Sequence, residues 1–469
     1  MADFVLVNPP VAPESRLSSN LPNLGLASIA AFLQRQGVET VILDAAAFGW
    51  DATTTAERVA QAAPLVCGLS ATTPGLPAAA EIAAKIKQRM PDCVTVAGGP
   101  HPSARPDETL DTYRSIDYAV IGEGEVTAWE IFQEIERGGE PTEVRGVASR
   151  AAGILRLAKH RPPIGQIDDL PPPLWDALPS LATTYGPPVQ STYRLPSAIL
   201  TTARGDPYGD AYRDDVIFGR KLRMHGAARI FEMMEFLYRR QTIVDFAIMD
   251  ESLLVDEGRL VELARLLQRS TLPLSFSCQA RPDQSLSPFA WRELANAGCW
   301  QLVFHLGAGH NSVLRRLGAR FTIEQALAAL RAAHDAGIAT HAHVLLGAPG
   351  ESLESLAATR RFVLRAPLED ATIGFFAAYP GADLSGEIGT FGRLVGGLAA
   401  RCERQVSFIP DGLNADLLRR ERWRVYRSFY LRTHIILHYL RRLRDRSGRP
   451  ALWSAFRSFR RRFLRFRPI

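Results

Sequence analysis

Strand-like and helix-like segments alternate along most of this 469-residue chain, and the alternation is the strongest constraint on its fold. Short apolar runs are followed by longer segments in which apolar residues recur every three or four positions, as in VDEGRLVELARLLQRS and TIEQALAALRAAHDAG. Strands that alternate with amphipathic helices form parallel sheets covered by helices. The sequence therefore predicts an α/β protein.

Residues 1–140 predict an open, doubly wound, Rossmann-like domain. Amphipathic segments separate five strand-like runs, which are FVLV (4–7), VETVILDA (38–45), LVCGLSA (65–71), CVTVAGG (93–99) and YAVIGEGE (118–125). In an open parallel sheet, ligands bind in the crevice outside the carboxyl ends of the strands. A binding site is therefore expected in the loops that follow these runs.

The rest of the chain divides into three regions. Residues 141–190 are rich in proline, which predicts an irregular linker that wraps the surface. Residues 191–395 hold six βα units, which predict a partial, TIM-like (β/α)6 barrel with strands at 197–202, 242–250, 272–280, 299–307, 338–347 and 371–378. Residues 396–469 are arginine-rich and are predicted to be helical.

Charge and composition exclude several classes of protein. The net charge is +6, but residues 401–469 hold 19 arginines against five acidic residues, so the remaining body is acidic and is not expected to bind nucleic acid. The five cysteines lack disulfide or metal-binding spacing, as expected in a reducing compartment. No apolar run reaches the about 18 residues of a membrane-spanning helix. The first residues predict a strand and not a signal peptide, so we expect a cytoplasmic protein.

Four loops at predicted strand ends carry residues suited to ligand binding. Glycines let the backbone approach a bulky ligand, and hydroxyl side chains donate hydrogen bonds. Each loop alone is compatible with an ordinary turn, but the four together favour a common site. Its candidate residues are Asn8, Pro9, Pro10, Ser70, Thr72, Thr73, Gly98, Gly99, His101, Gly122, Glu123, Gly124 and Glu125.

The order of three motifs resembles a known family. NPP after the first strand, AGGPHPS after the fourth and VIGEGE after the fifth are similar to the cobalamin-binding domain of cobalamin-dependent radical S-adenosylmethionine enzymes. The resemblance implies a corrinoid on the carboxyl edge of the sheet. No Asp-x-His-x-x-Gly motif is present, and His101 contacts either cobalt or a corrin amide, with a hydrogen-bonding role favoured.

The second domain extends the resemblance and departs from it at one loop. GDPYGDAYRD aligns with the family pattern Gly-Cys-Pro-Tyr-Gly-Cys-x-aromatic-Cys-Asp, whose three cysteines bind a [4Fe–4S] cluster in the family. Here those positions are Asp206, Asp210 and Arg213. Iron–sulfur clusters need thiolate ligands, and arginine does not deprotonate. The chain is therefore identified as a degenerate member, in which no cluster of the family type is expected.

A second departure concerns S-adenosylmethionine, which binds the fourth iron in the family. The family pattern Gly-Ile-Glu-Ser-Gly corresponds here to His305-Leu306-Gly307-Ala308-Gly309, so glycine replaces the glutamate that lies near this cofactor. Tyr212 keeps the aromatic position that the resemblance places against the adenine. Binding of S-adenosylmethionine is therefore left open.

Two groups of side chains are candidates for chemistry in the barrel. Asp206 and Asp210, with the nearby Asp214 and Asp215, would suit a hard cation or a basic substrate, although such loops are commonly just solvated. His341 and His343 share one face of a predicted strand and, with His305, would suit a transition metal or acid/base catalysis. Core histidines bound to their neighbours are the commoner alternative.

The last residues have the pattern of an amphipathic helix. Leu452, Phe456, Phe459, Phe463 and Phe466 recur at spacings of three and four, and arginines occupy the other faces. Such a helix either lies at the inner face of a membrane as a peripheral contact or docks on the acidic body. The sequence does not decide between them.

The leading hypothesis is a cobalamin-dependent enzyme, a methyltransferase or a cyclase or rearrangement enzyme, that acts without the usual cluster. The resemblance implies a small organic, tetrapyrrole or lipid-like substrate in a biosynthetic pathway. The alternative is a catalytically inactive, corrinoid-binding scaffold that partners an intact homologue.

Overall fold

The computed structural model describes residues 2–10, 21–151, 153–186, 192–250, 252–284, 286–444 and 449. The first sheet has the strand order β2-β1-β3-β4-β5-β6-β7, in which β1 to β5 are parallel and the last two are antiparallel. Its strands are β1 (Phe4–Asn8), β2 (Thr40–Asp44), β3 (Val66–Ser70), β4 (Val94–Gly98), β5 (Tyr118–Val120), β6 (Val147–Ala151) and β7 (Ile154–Leu157). The order 2-1-3-4-5 places a switch point between β1 and β3, as in doubly wound folds.

Helices cover both faces of this sheet because their apolar stripes need burial. They are α1 (Leu24–Arg35), α2 (Ala45–Phe48), α3 (Ala52–Ala62), α4 (Leu76–Arg89), α5 (Pro100–Ala104), α6 (Pro106–Thr112) and α7 (Gly124–Glu136). Asn23 starts α1 by accepting a hydrogen bond from the Leu26 backbone N–H, and Asp51 starts α3 in the same way. The predicted doubly wound domain is confirmed.

The predicted irregular linker is wrong over part of its length. Residues 147–157 form the β6–β7 hairpin, which extends the first sheet beyond β5. The predicted fifth strand is also shorter than expected, because the chain turns after Val120 and α7 begins at Gly124. In the rest of the proline-rich region, Trp175 and Tyr185 are buried, so this region packs into the core as well as covering it.

The second sheet has six parallel strands in the order β15-β14-β13-β12-β11-β8, which confirms the partial barrel. Its strands are β8 (Ser197–Leu200), β11 (Asp245–Ile248), β12 (Ser275–Ala280), β13 (Cys299–Gly307), β14 (Ala339–Leu346) and β15 (Asp370–Phe375). A two-stranded ribbon follows β8 and consists of β9 (Ala203–Arg204) and β10 (Arg223–Met224). The outer helices are α8 (Ala227–Gln241), α9 (Glu257–Arg269), α10 (Pro288–Asn296), α11 (Asn311–Arg316), α12 (Ile323–Asp335) and α13 (Leu353–Arg365).

The predicted all-helical C-terminal region begins instead with a second ribbon, β16 (Gly392–Leu394) and β17 (Phe408–Pro410). Two helices follow up to residue 444, α14 (Ala415–Tyr430) and α15 (Thr433–Arg444). The amphipathic segment predicted at residues 451–467 lies outside the described residues. None of the helices in the described ranges is long and apolar enough to cross a membrane.

Candidate functional site

Polar side chains are linked to one another at the carboxyl edge of the first sheet. Asn23 donates from Nδ2 to Asn8 Oδ1 (3.3 Å) and to Ser70 Oγ (3.0 Å). Asn8 donates to Asp44 Oδ1 at 2.9 Å, and Asp44 accepts a hydrogen bond from the Tyr185 hydroxyl. Asn8 and Ser70 were predicted from the sequence, whereas Asn23 and Asp44 were missed because they serve first as helix caps.

Glycines leave the backbone of this edge accessible. A Cβ atom at Gly98 or Gly122 would make only ordinary contacts, the nearest at 3.8 and 3.7 Å, so both positions leave room for a ligand. Gly122 also has a positive φ, +84°, but at Gly99, whose φ is +122°, a Cβ atom would in addition lie 2.8 Å from the Ala71 carbonyl oxygen. Only glycine suits that conformation and that contact.

The remaining predicted residues of the edge occupy less open positions. Pro9 is buried and Pro10 half-buried at the end of β1. Thr72 is exposed, and its hydroxyl accepts a hydrogen bond from the Gly75 N–H, which closes the turn into α4. Gly124 is the first residue of α7.

His101 lies inside the first domain and is fully buried. Its Nδ1 is 3.3 Å from Thr73 Oγ1, and its Nε2 has no hydrogen-bond partner among the described residues. The nearest carboxylate oxygen to Nε2, from Glu108, is 3.9 Å away. Burial lowers the pKa of His101 more than Glu108 raises it, so the neutral imidazole is favoured. In this structure the side chain is not exposed in the crevice.

Glu123 and Glu125 join the two domains. Glu123 accepts hydrogen bonds from Arg223, which is buried, at 2.9 Å and from Arg204 at 2.7 Å. Glu125 accepts from Arg204 at 2.6 Å and from Ser28 at 2.8 Å. Burial disfavours the charge of Arg204, but the two carboxylates outweigh it and raise its pKa. Both glutamates, predicted as cofactor-binding residues, are engaged by arginines of the barrel domain.

A cleft of about 230 Å³ lies where the two carboxyl edges meet. It is bordered by the first domain, the proline-rich region and the loop after β9, through Gly122, Glu123, Arg161, Asp215 and Ile217. The contribution of the proline-rich region was not predicted, because nothing local in the sequence places residues 160–163 beside a strand end.

The loop between β9 and β10, residues 205–222, corresponds to the cluster loop of the resemblance. Gly205 has a φ of +98°, and a Cβ atom there would lie 2.2 Å from the Lys221 carbonyl oxygen, so glycine is required. The Asp206 N–H donates to the Gly219 carbonyl at 3.0 Å, and Asp206 Oδ1 accepts from the Tyr208 N–H at 2.9 Å. Asp206 therefore stabilises the turn of its own loop.

Asp210 forms an ion pair inside the barrel. Its two oxygens accept hydrogen bonds from Nη1 and Nη2 of Arg281, at 2.5 and 3.1 Å. Both residues are buried, and Arg281 also donates to Asp283 at 3.0 Å. Burial disfavours the charged form of Arg281, but the carboxylates of Asp210 and Asp283 outweigh this effect and raise the pKa of Arg281. Arg213 Nε lies 3.7 Å from Asp210, so two of the three positions aligned with the family's cysteines belong to a network of two arginines and two aspartates.

The hard-cation interpretation of this loop is not supported. Among the described residues, no group of three or more histidines, cysteines or acidic residues is arranged to hold a metal ion. Asp215 pairs with Arg220 at 2.6 Å, and the carboxylates of Asp206 and Asp210 are engaged as described above. The pKa of Asp214 is raised, chiefly by burial and by Asp215.

Two of the three predicted histidines lie together at the mouth of the barrel. His343 Nδ1 is 3.1 Å from His305 Nδ1, and the two rings are nearly perpendicular with centroids 4.9 Å apart. His343 Nε2 lies 2.9 Å from Glu403 Oε2. His341 is directed elsewhere, with Nε2 2.9 Å from Thr372 Oγ1. His341 thus lies apart from the other two candidates, and no group of three such side chains among the described residues is arranged to hold a metal ion. His305 and His343 belong instead to a Glu403–His343–His305 chain, which leaves their acid/base interpretation open.

The carboxylate at one end of this chain determines where the protons lie. When Glu403 is ionised, it accepts a hydrogen bond from the Nε2–H group of His343. His343 Nδ1 then carries no proton and accepts a hydrogen bond from the Nδ1–H group of His305. Burial disfavours ionisation of Glu403, but His343 and His305 outweigh it and lower its pKa. Burial, with smaller effects of His343 and Arg213, lowers the pKa of His305 well below its ordinary value. The arrangement suits transfer of a proton to or from a neutral imidazole.

The chain is tightly packed at the end of β13, where glycine stands in place of the glutamate of the family pattern. A Cβ atom at Gly309 would lie 2.5 Å from the Thr359 Cα, so that position requires glycine. A Cβ atom at Gly307 would lie 3.2 Å from Leu317 and 4.0 Å from the Tyr212 hydroxyl. Tyr212 therefore lies beside the position where the resemblance expects the S-adenosylmethionine contact.

Comparisons with known proteins match both domains. Residues 15–132 match the B12 binding domain and residues 210–363 match the Radical SAM superfamily. Each match falls within one of the regions assigned above to the two α/β domains.

Relatives share this two-domain arrangement. An uncharacterized methyltransferase of Pyrococcus horikoshii is 25% identical over 81% of this chain and 82% of its own length, and the anaerobic magnesium-protoporphyrin IX monomethyl ester cyclase of Rubrivivax gelatinosus is 25% identical over 80% and 68%. The radical S-adenosylmethionine methyltransferase TsrM of Kitasatospora setae, solved with cobalamin and a [4Fe-4S] cluster, matches with a TM-score of 0.66 and 18% identity over 83% of this chain and 75% of its own. The chain thus pairs a B12-binding domain with a radical SAM domain and is related to the B12-dependent radical SAM methyltransferases and cyclases.

Proposed function

We propose that this chain is a cobalamin-dependent enzyme of the methyltransferase or cyclase type that acts without the [4Fe–4S] cluster of its relatives. The B12-binding match and the methyltransferase and cyclase relatives support the cofactor and the type of reaction. The names of two relatives, the magnesium-protoporphyrin ester cyclase and the hopanoid C-3 methylase, support a tetrapyrrole, lipid-like or other small organic substrate.

The ion pair between Asp210 and Arg281 is the observation that carries the proposal. A cluster of the family type requires thiolates at the three loop positions, and oxygen and guanidinium groups do not replace them. The loop instead contains a buried pair with two charge-assisted hydrogen bonds, the stronger class of such bonds. The residues present therefore do not fit the cluster.

The residues of the first sheet's edge do fit a corrinoid in their chemistry. Asn8 and Ser70, both held in place by Asn23, offer amide and hydroxyl groups to the amides of such a ligand, and Gly98 and Gly122 remove side chains that would obstruct it. The cleft is smaller than the about 300–1,000 Å³ of pockets for drug-sized ligands. The proposal therefore includes a separation of the loops of the two domains on binding, a rearrangement that a substantial minority of complexes undergo.

When bound, cobalamin would supply the reactivity for methyl transfer, cyclisation or rearrangement. The chain itself would position the substrate in the barrel and exclude water. We assign His305 Nε2 the task of accepting a proton from the substrate, with His343 and Glu403 fixing its tautomer. S-adenosylmethionine is not assigned a step, since neither the cluster ligands nor the glutamate of the family pattern is present.

The test is the cofactor content of the native chain. Protein produced with cobalamin and handled without oxygen should show a corrinoid absorption spectrum with about one cobalamin per chain, and iron and sulfide at background after a cluster-reconstitution procedure. A D206C/D210C/R213C variant treated identically is the positive control for the procedure. Stoichiometric iron and sulfide in the native chain would overturn the cluster-free proposal.

A second experiment, an alkyl-transfer assay, separates the enzyme from its alternative, a scaffold that partners an intact homologue. A corrinoid-loaded chain that accelerates alkyl transfer from cobalamin to a candidate substrate, and loses this in His343→Gln, supports the enzyme. A chain that binds corrinoid but is equally inert with and without His343, and that forms a complex with a cysteine-containing homologue, supports the scaffold.

A further inference from the structure

The last described helix, α15, buries one face and exposes a second apolar face. Ile435 is 1% exposed, and Tyr439 and Arg442 also point into the body. On the outward side, Ile436, Leu437 and Leu440 are 44, 45 and 49% exposed.

The outward residues form one continuous surface. Leu440 lies three residues after Leu437 and four residues after Ile436, so the three side chains share a helix face. Leu431, the C-cap of α14 and two residues before α15 begins, is 66% exposed. A surface helix of a globular protein normally turns its polar side outward. A clustered apolar face on the solvent side therefore indicates a surface that binds a partner.

The two C-terminal helices carry many arginines. The exposed ones are Arg419, Arg420, Arg424, Arg427 and Arg441, of which Arg419 pairs with Asp416 and Arg424 with Glu421. Trp423 is 39% exposed, with the Arg427 guanidinium 5.2 Å from its ring centre. Leucine and isoleucine flanked by arginine and tryptophan have the composition of a helix that lies in a membrane interface.

We propose that the outward face of α15 docks on an anionic lipid surface. Its apolar side chains would enter the boundary between headgroups and acyl chains, and the neighbouring arginines would bind the lipid phosphates. A second copy of the chain is a poorer partner, because pairing two such faces would bring two arginine-rich patches together. A lipid surface with negative charge complements both the apolar and the cationic part of the patch.

The position of α15 determines what such docking would do. Arg442 donates to the Thr192 carbonyl at 2.9 Å and stacks 5.2 Å from the Trp300 ring centre, while the Tyr430 hydroxyl, just before α15, donates to Asp370. Trp300 and Asp370 are at the starts of β13 and β15, at the opposite end of the barrel from residues 205–222. The lipid-facing surface thus tethers the protein with its mouth directed away from the membrane, and does not deliver substrate from the bilayer.

The experiment is co-sedimentation of the full chain with unilamellar vesicles of phosphatidylcholine, with and without about a third of phosphatidylglycerol. We expect binding only to the anionic vesicles, and loss of most of it when salt is raised from low to about 0.5 M, where surface charges are screened. The I436S/L440S variant should bind about tenfold more weakly, because two partly exposed apolar side chains no longer enter the interface. The matched control is I154S/L157S, which removes two exposed apolar side chains from β7, 69 and 58% exposed, and should bind like the native chain.

Three results would overturn the proposal. The first is absence of binding to anionic vesicles at low salt. The second is unchanged binding of I436S/L440S, which would assign lipid contact to residues 445–469 alone. The third is an oligomer in solution that the same double substitution dissociates, which would assign the face to a second copy. Circular dichroism of each variant checks that the fold is retained, so weaker binding is not confused with unfolding.

Discussion

Asp210 and Arg281 are joined by two hydrogen bonds, although they lie 71 residues apart in the chain and neither is exposed to solvent. Arg281 lies 4.0 Å from the ring centre of Tyr208, from the same loop as Asp210. The pair therefore fastens the loop after β9 to the end of β12.

The first prediction concerns the stability that this pair provides. Asp210→Ala should lower the free energy of unfolding by about 3–5 kcal/mol, because the buried guanidinium of Arg281 loses one of its carboxylate partners. Urea denaturation followed by circular dichroism measures the change. The D210L/R281M variant should recover most of it, since apolar residues of similar size replace buried ion pairs at little cost.

The control for this prediction is Asp215→Asn. Asp215 pairs with Arg220 in the same loop, but the arginine side chain is 59% exposed, so solvent weakens the pair and little change is expected. Equal destabilisation by the two substitutions would contradict a special role for Asp210.

Sequence patterns predicted the two sheets and the loop after β9, because strand and helix periodicity is a local property. They also singled out Asp210 and Arg213 from the spacing of a motif. Neither pattern pointed to Arg281 or Glu403 as the partners of this site, because partners distant in sequence are brought together only by the fold. The β6–β7 hairpin was missed for a related reason, since the surrounding prolines obscured a short strand pair whose stability depends on pairing with β5.

A second prediction tests the proton positions in the Glu403–His343–His305 chain. Histidine side-chain NMR on 15N-labelled protein should show that the pKa of His305 is below that of free histidine, since burial disfavours its cation. Glu403→Gln should lower the pKa of His305 further, because the carboxylate that favours the cation is gone.

The stability effect of His305 follows from the same shift. The unfolded chain takes up a proton at His305 near pH 6.5, its ordinary pKa, while the folded chain does so only at lower pH. Stability should therefore fall as the pH decreases through 6.5, and His305→Gln should reduce that loss.

His341→Gln is the control for the NMR experiment with Glu403→Gln, because the His341 ring bonds to Thr372. If the NMR signals of His343 shift in His341→Gln and not in Glu403→Gln, the proposed chain is refuted.

A third prediction concerns the junction of the domains. Arg223→Ala should destabilise the protein by about 3 kcal/mol, the lower end of the range for a broken buried ion pair, because Arg204 still contacts Glu123. It should also make residues 141–190 more sensitive to trypsin, since Arg223 also donates to the Ile164 carbonyl at 2.7 Å. Arg105→Ala breaks a surface pair with Asp107, with both side chains 47% exposed, and should change neither measurement.

The last prediction concerns Glu351, which is 3% exposed at the carboxyl end of the second sheet. Its Oε2 accepts hydrogen bonds from the backbone N–H groups of Gly347 and Ala348, but burial dominates and raises its pKa from 4.5 to about 8. Between these values the folded chain keeps a proton that the unfolded chain releases. Stability should therefore fall with rising pH across this window, by up to about 1.4 kcal/mol per pH unit.

Glu351→Gln removes the titration while keeping an oxygen that accepts from Gly347, so the stability of this variant should depend less on pH between 5 and 8. Urea midpoints at several pH values measure the difference between the two proteins. Glu257→Gln is the matched control, because hydrogen bonds from Ser287 lower the pKa of Glu257 below 4.5 and place its titration outside the window. If the native chain and Glu351→Gln have parallel pH profiles, Glu351 is ionised in the folded state, and the strand end it occupies is more polar than its burial implies.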